Sequence, residues 1–229
     1  MIRSKWLGVL LTIGLFAQGA FGQVKPEPGG EKKGDPAFAK VVDDPALPKV
    51  LLIGDSISIG YTPPVRELLK GKANVHRIPA NGGPTSNGIK HIDQWLGKEK
   101  WAVIHLNFGL HDLKVMPDGN RQVSPEDYEK NLRTIIDKCQ QTGAKVIFAT
   151  TTPVPEGKLN PPRHFGDVAD YNAIATKVAN EKHVQIDDLN AAITPQVKDL
   201  QKPHDVHYKP AGYKALAEAV AKSIEAALK

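Results

Sequence analysis

Five short apolar runs rich in β-branched residues alternate with segments of helical period, and that alternation constrains the fold more than any other feature of the chain. The runs are "KVLLI" from Lys49, "NVHRIP" from Asn74 to Pro79, "WAVIHLNFG" from Trp101 to Gly109, "AKVIFATTTP" from Ala144 to Pro153 and "VQIDDLN" from Val184 to Asn190. Apolar runs of this length read as strands buried on both faces of a sheet. Helical patterns cover Pro63 to Leu69, Ser86 to Leu96, Val168 to Glu181 and Ala211 to Leu228. The clearest is "SPEDYEKNLRTIIDKCQQTG", with Ser124 as N-cap, Pro125 at the first helical position, acids in the first turn and Gly143 past the end. Strands separated by helices need crossover connections, so the sheet is expected to be parallel with helices on both faces, a three-layer α/β/α domain.

That domain is expected to span residues 49–229, enough for one core and too few for two. Ahead of it, "MIRSKWLGVLLTIGLFAQGAFGQ" has a basic start, an apolar centre and small residues near Ala20 and Gly22, the pattern of a secretory signal peptide. Its apolar part, Trp6 to Ala17, is shorter than the roughly 20 residues of a membrane-spanning helix. Residues 1–22 are therefore expected to be removed on export, leaving a secreted or periplasmic protein with no membrane span. Residues 23–48, rich in Pro, Gly and charge, read as a linker or N-terminal extension whose later part can pack on the domain. Cys139 has no second cysteine to pair with, and recurs with Leu132, Ile135 and Ile136 at helical spacing, so it is expected in the core. The formal charge of +5 is spread among interspersed Lys and Glu with no aromatic-laced basic block, which argues against a nucleic-acid partner.

In a parallel sheet the loops that follow the strands gather at one edge, where open α/β sheets bind ligands. Those loops carry "GDSIS", "ANGGPTSNG", "NFGLHDLK" and "TTPVPEGKLNPPRHFG", and a last loop before the final helix reads "KPHDVHYKPAGY". Gly54, Asp55 and Ser56 can be ordinary turn residues, or Ser56 can be a nucleophile presented at the end of the first strand. The convergence of Ser56, two glycines, His111 with Asp112, and His204, Asp205 and His207 from distant segments favours the second reading.

Taken in order, these motifs resemble the SGNH or GDSL hydrolases, esterases and lipases on a flavodoxin-like sheet, over nearly everything from Lys49 onward. The resemblance implies Ser56 of "GDSIS" as nucleophile, and a backbone N–H oxyanion donor in "NGGPTSNG" at Gly82, with Gly83 second. It puts "GLHD" in the place of GxND, so that His111 stands where the family's oxyanion Asn does. It puts "HDVH" in the place of DxxH, with His207 as general base. Two departures follow: His111 replaces an Asn, and His204 occupies the family's Asp position. A neutral imidazole still donates one N–H. Asp205, one residue along, can orient His207 if the chain turns tightly at Val206; otherwise a backbone carbonyl holds the base.

The chemistry expected is acyl transfer. A hydroxyl needs a base to take its proton during attack, and histidine is the side chain suited to that near neutrality. The developing oxyanion needs fixed donors, for which Ser56, Gly82 and His111 are the candidates. No cofactor or metal is required. The polar loop from Pro153 to Gly166, with Arg163 and His164 as possible substrate contacts alongside Gly83, points to a compact ester, an acetyl group on a small molecule or polysaccharide, rather than a long-chain lipid. Two other function classes use the same residues: a metal site built on His204, Asp205 and His207, and a non-catalytic carbohydrate-binding protein on a hydrolase fold. His91, His105, Asp55 and Asp112 are expected to serve packing and loop structure.

Overall fold

A computed structural model describes residues 34–229; the expected signal peptide and residues 23–33 of the expected linker lie outside the described residues. The strands are β1 (Lys49–Ile53), β2 (Asn74–Arg77), β3 (Val103–Leu106), β4 (Lys145–Ala149) and β5 (Gln185–Asp187). They form one five-stranded sheet in the order β2-β1-β3-β4-β5, every neighbouring pair parallel. Helices α1 (Ser56–Leu68), α2 (Thr85–Leu96), α3 (Pro125–Gln141), α4 (Asp167–Glu181), α5 (Leu189–Ile193), α6 (Val197–Leu200) and α7 (Pro210–Leu228) follow in turn. Helix α1 packs on α7, and α2 to α4 pack in sequence against one another. This is the flavodoxin-like α/β/α arrangement. The chain leaves β1 to one side for β2 and returns to the other for β3, so the crevice at the carboxyl ends of β1 and β3 is the switch point where such sheets take ligands.

Burial explains the strands. Val50, Leu51, Leu52 and Ile53 of β1 and Val103, Ile104 and Leu106 of β3 are at most 2% exposed. Inside α3, Cys139 is fully buried with Leu132, Ile135 and Ile136, and burial pushes its thiol up to about 12.

One helix starts earlier than the sequence pattern suggests. Helix α1 starts at Ser56, not Pro63, and contains Pro63 and Pro64. Prolines usually stand in the first helical turn because they lack an N–H; here Ile57, Tyr61 and Val65 bury one face of the helix across them, and the packing outweighs the lost backbone bonds. A Cβ on Gly60 would lie 2.1 Å from the Tyr213 ring of α7, so only glycine admits this helix contact. The stretch before β1 packs on the domain from Asp35 onward. Asp35 caps a 3₁₀ turn at Pro36–Phe38, Arg66 Nη1 donates to the Pro36 carbonyl at 2.8 Å, and the Arg77 guanidinium stacks 4.9 Å over Phe38. The Asn74 side chain accepts from the Asp44 N–H and donates to the Asp44 and Leu47 carbonyls.

Candidate active site

Ser56 is the first residue of α1, directly beyond the carboxyl end of β1. Asp55 caps the helix, its Oδ1 accepting from the Ile57 N–H at 2.9 Å. Burial raises the pKa of this carboxyl against the opposing bond from Ile57 and the charges of His207, Arg163 and Arg77. At an N-terminus the Ser56 N–H has no carbonyl a turn earlier to bond, and it points a positive partial charge outward. The turn is pinned from below: the Gly54 carbonyl accepts from Gly82 N–H at 2.9 Å and from Arg77 Nη2 at 3.3 Å.

His207 Nε2 lies 2.8 Å from Ser56 Oγ, and its Nδ1 lies 2.7 Å from Asp205 Oδ1. The Asp205 carboxylate reaches the ring because the loop turns at Val206, so that the His207 backbone N–H also donates to Oδ1 at 3.1 Å. Val206 is 6% exposed and anchors the turn. Gln201 pairs with Tyr208 in an isolated bridge, and the Lys202 N–H donates to the His207 carbonyl at 2.9 Å. Partial burial works to raise the Asp205 pKa, but the bonds from the His207 ring and backbone outweigh it and hold the carboxyl below its ordinary value. His204, at φ 54° and exposed, takes no part in this relay.

From the loop after β3, His111 lines the same cavity. Burial, reinforced by the positive charges of Lys114, Arg163 and His207, pushes its pKa down to about 3. The ring is thus neutral and carries one N–H. Its neighbour Asp112 is fully buried and accepts from both the N–H and the hydroxyl of Thr85, tying this loop to the start of α2.

The Gly82 N–H donates to the Gly54 carbonyl and a Cβ there would stand 2.9 Å from that oxygen, so Gly82 braces the nucleophile turn. Gly83, at φ 63°, donates to Asn81 Oδ1 at 2.9 Å. It is Asn81, not singled out in the sequence, that lines the cavity. With Oδ1 engaged by Gly83, the amide is oriented and its Nδ2 has no protein partner among the described residues. The only signal for it in the sequence was its place in "ANGG".

These groups open into a cavity of about 710 Å³ whose other walls come largely from the loop after β4. Arg163 lines it, Nε donating to the Leu110 carbonyl at 2.9 Å and Nη1 to the Pro161 carbonyl at 3.1 Å. His164 is exposed and outside the cavity lining. Among the described residues no three His, Cys, Asp or Glu side chains are gathered as metal ligands, and His207 is already held between Ser56 and Asp205. No helix of the described residues is long and apolar enough to cross a membrane. His105, expected in packing, is fully buried with Nε2 2.9 Å from Asp187 Oδ2. His91 stacks on Trp95 at 5.7 Å.

Residues 52–215 match the GDSL-like Lipase/Acylhydrolase family. An arylesterase of Vibrio mimicus is 24% identical over 190 residues, covering 78% of this chain and 89% of that protein. Among solved structures, the lipase/acylhydrolase from Enterococcus faecalis superposes with a TM-score of 0.68 at 23% identity, over 80% of this chain and 97% of that one. The acetyl xylan esterase AlAXEase gives 0.67 at 20% identity over 77% and 99%, and Axe2, an acetylxylan esterase from Geobacillus stearothermophilus, gives 0.64 at 21% over 77% and 94%. At these identities the structural likenesses establish a shared fold.

Proposed function

The chain belongs to the GDSL-like lipase/acylhydrolase family and is a carboxylic ester hydrolase; from that premise we propose that Ser56, His207 and Asp205 carry out a two-step acyl-enzyme mechanism on small acetyl esters of carbohydrates outside the cytoplasm. The observation that carries the reading is the continuous relay from Ser56 Oγ through His207 to Asp205, at 2.8 and 2.7 Å. With Nδ1–H donated to the carboxylate, Nε2 is left as the acceptor for the Ser56 proton. Ser56 Oγ attacks the ester carbonyl carbon, its proton passes to Nε2, and the carbonyl electrons move onto oxygen. The Ser56 N–H and the His111 ring N–H are the proposed oxyanion donors, joined by the Asn81 amide in place of the Gly82 N–H. As the tetrahedral species collapses, the Nε2 proton goes to the leaving alkoxide and the acyl group stays on Ser56. Water, deprotonated by His207, then attacks the acyl-enzyme and returns the serine.

Support for the substrate class comes from the polar and charged side chains that line the cavity, Asn81, Lys114, Lys158, Asn160 and Arg163, and from the acetyl xylan esterases among the fold's neighbours. Export rests on the N-terminal pattern. The test is covalent titration with a fluorophosphonate: stoichiometric labelling mapped to Ser56, with matching loss of ester hydrolysis, is expected. Hydrolysis that persists in fully exposed, unlabelled protein would sink the mechanism.

A further inference from the structure

The cavity over Ser56 has an uneven charge. Lys114 from the loop after β3 and Lys158 and Arg163 from the loop after β4 line it, with His111 and His204 beside them. Asp205 is the single carboxylate in the lining, and it is hydrogen-bonded to His207. Several basic residues outside the cavity are paired with acids, Arg121 with Asp167, Arg133 with Glu129 and Glu181, Lys138 with Asp93 and Lys182 with Asp137 among them. Among the described residues neither Lys158 nor Arg163 forms an ion pair. Arg163 is the more telling of the two. It is partly buried, and burial lowers its pKa against the pull of Asp55 and Asp205, which is unfavourable for a cation unless its charge meets a counter-charge. The carbonyls of Leu110 and Pro161 take Nε and one Nη1 hydrogen. Of the five donors on a guanidinium, Nη2 and the second Nη1 hydrogen are left, on a group already fixed in orientation. Such a fork suits a planar carboxylate or an oxyanion of sulfate.

Resting on the ester-hydrolase reading, we infer that the preferred substrate is an ester whose alcohol portion is an anionic saccharide, the negative group being held by Arg163 and Lys158 while the acyl carbon faces Ser56. The experiment compares kcat/KM for an O-acetylated methyl glucuronide, its uncharged glucuronamide counterpart and an O-acetylated glucoside sulfate. Wild-type enzyme at low ionic strength is expected to favour the anionic esters by about tenfold or more, mainly through KM, with the advantage shrinking as salt rises; the larger of the two anionic ratios identifies the group. In Arg163→Gln and in Lys158→Gln the anionic-to-neutral ratio falls toward one, a readout that does not depend on how much active protein each variant yields. Equal kcat/KM for charged and neutral esters in the wild type, or a ratio unchanged in both variants, overturns this inference and leaves the esterase reading standing. No hydrolysis of any of the three, together with no fluorophosphonate label, overturns both.

Discussion

Beside the His76–Asp43 pair, two histidine–carboxylate pairs of similar geometry lie in this domain and serve different ends. His207 Nδ1 is 2.7 Å from Asp205 Oδ1, and His105 Nε2 is 2.9 Å from Asp187 Oδ2. The first pair is a third or more exposed, whereas the His105 side chain is 0% exposed and Asp187 8%. His105 sits within β3 with the Tyr61 ring edge-on at 6.2 Å, and its bond to the end of β5 ties the sheet together across β4. His207 sits in a loop beyond the sheet edge, its other nitrogen on Ser56 Oγ. The other nitrogen of His105 is buried with no partner among the described residues. In each pair the carboxylate fixes the ring; what the second nitrogen faces separates a reaction from a core contact.

The largest expected effect breaks the comparison at its reactive end. Ser56→Ala or His207→Ala should remove about three orders of magnitude or more of short-ester turnover while far-UV circular dichroism and Tm stay near wild type. Near-normal rates for Ser56→Ala would exclude a serine nucleophile. Asp205→Asn should lower kcat by about 100-fold or more, because an amide neither holds the tautomer nor stabilises the imidazolium; His204→Ala should cost little. If the ranking is reversed, the orienting group is not the one bonded in this loop. His111→Ala should lower kcat by about 100-fold with KM little changed, and His111→Asn should recover part of it. A variant that loses only Tm would make the ring structural.

At the buried pair the outcome should invert. His105→Gln or Asp187→Asn is expected to lose about 3 kcal/mol or more of stability in urea unfolding, since each leaves its partner buried and unmatched, while turnover per folded molecule stays near wild type. A loss of kcat without a loss of stability would place the pair in the reaction and erase the contrast.

The two pairs were unequally visible in the sequence. "HDVH" holds His207 and Asp205 within one turn, so a short-range argument reaches them, although which way the carboxylate points depends on Val206 being buried. His105 and Asp187 are 82 positions apart, and nothing local joins them; only the strand order does. The sheet itself was legible because β-branched runs buried on both faces have no other use. The start of α1 was hidden by Pro63 and Pro64, whose local preference is overridden by tertiary packing, and α5 and α6 are too short for a helical period to show. The bond of the Gly82 N–H to Gly54 was hidden for a similar reason: whether a glycine N–H faces a ligand or a neighbouring carbonyl depends on how β2's loop lies against Gly54, which spacing does not encode. The packing of Phe38 under Arg77 likewise depends on a contact between segments that composition alone marks as a linker.

The smallest expected effect carries the same contrast into two adjacent residues. Burial drives His111 down to about 3 and Asp112 up to about 7, the charges of Lys114, Arg163 and His207 adding to it at the first and the Thr85 bonds opposing it at the second. Each is therefore neutral in the folded chain over a range where it is charged in the unfolded chain. For His111, whose folded value is depressed, the stability present above pH about 6.5 is lost as pH falls toward about 3. For Asp112, whose folded value is raised, the stability present below pH about 4 is lost as pH rises through about 7. Between roughly pH 4 and 6.5 the folded chain holds one proton more at Asp112 and one fewer at His111, so the two slopes cancel. Single substitutions should unmask them. Relative to wild type, Asp112→Asn should lose stability toward acid across that window and His111→Asn should lose it toward base, each by up to about 1.4 kcal/mol per pH unit. Urea midpoints at matched m-values read both slopes; variants whose curves run parallel to wild type would show that neither side chain is held neutral by its burial.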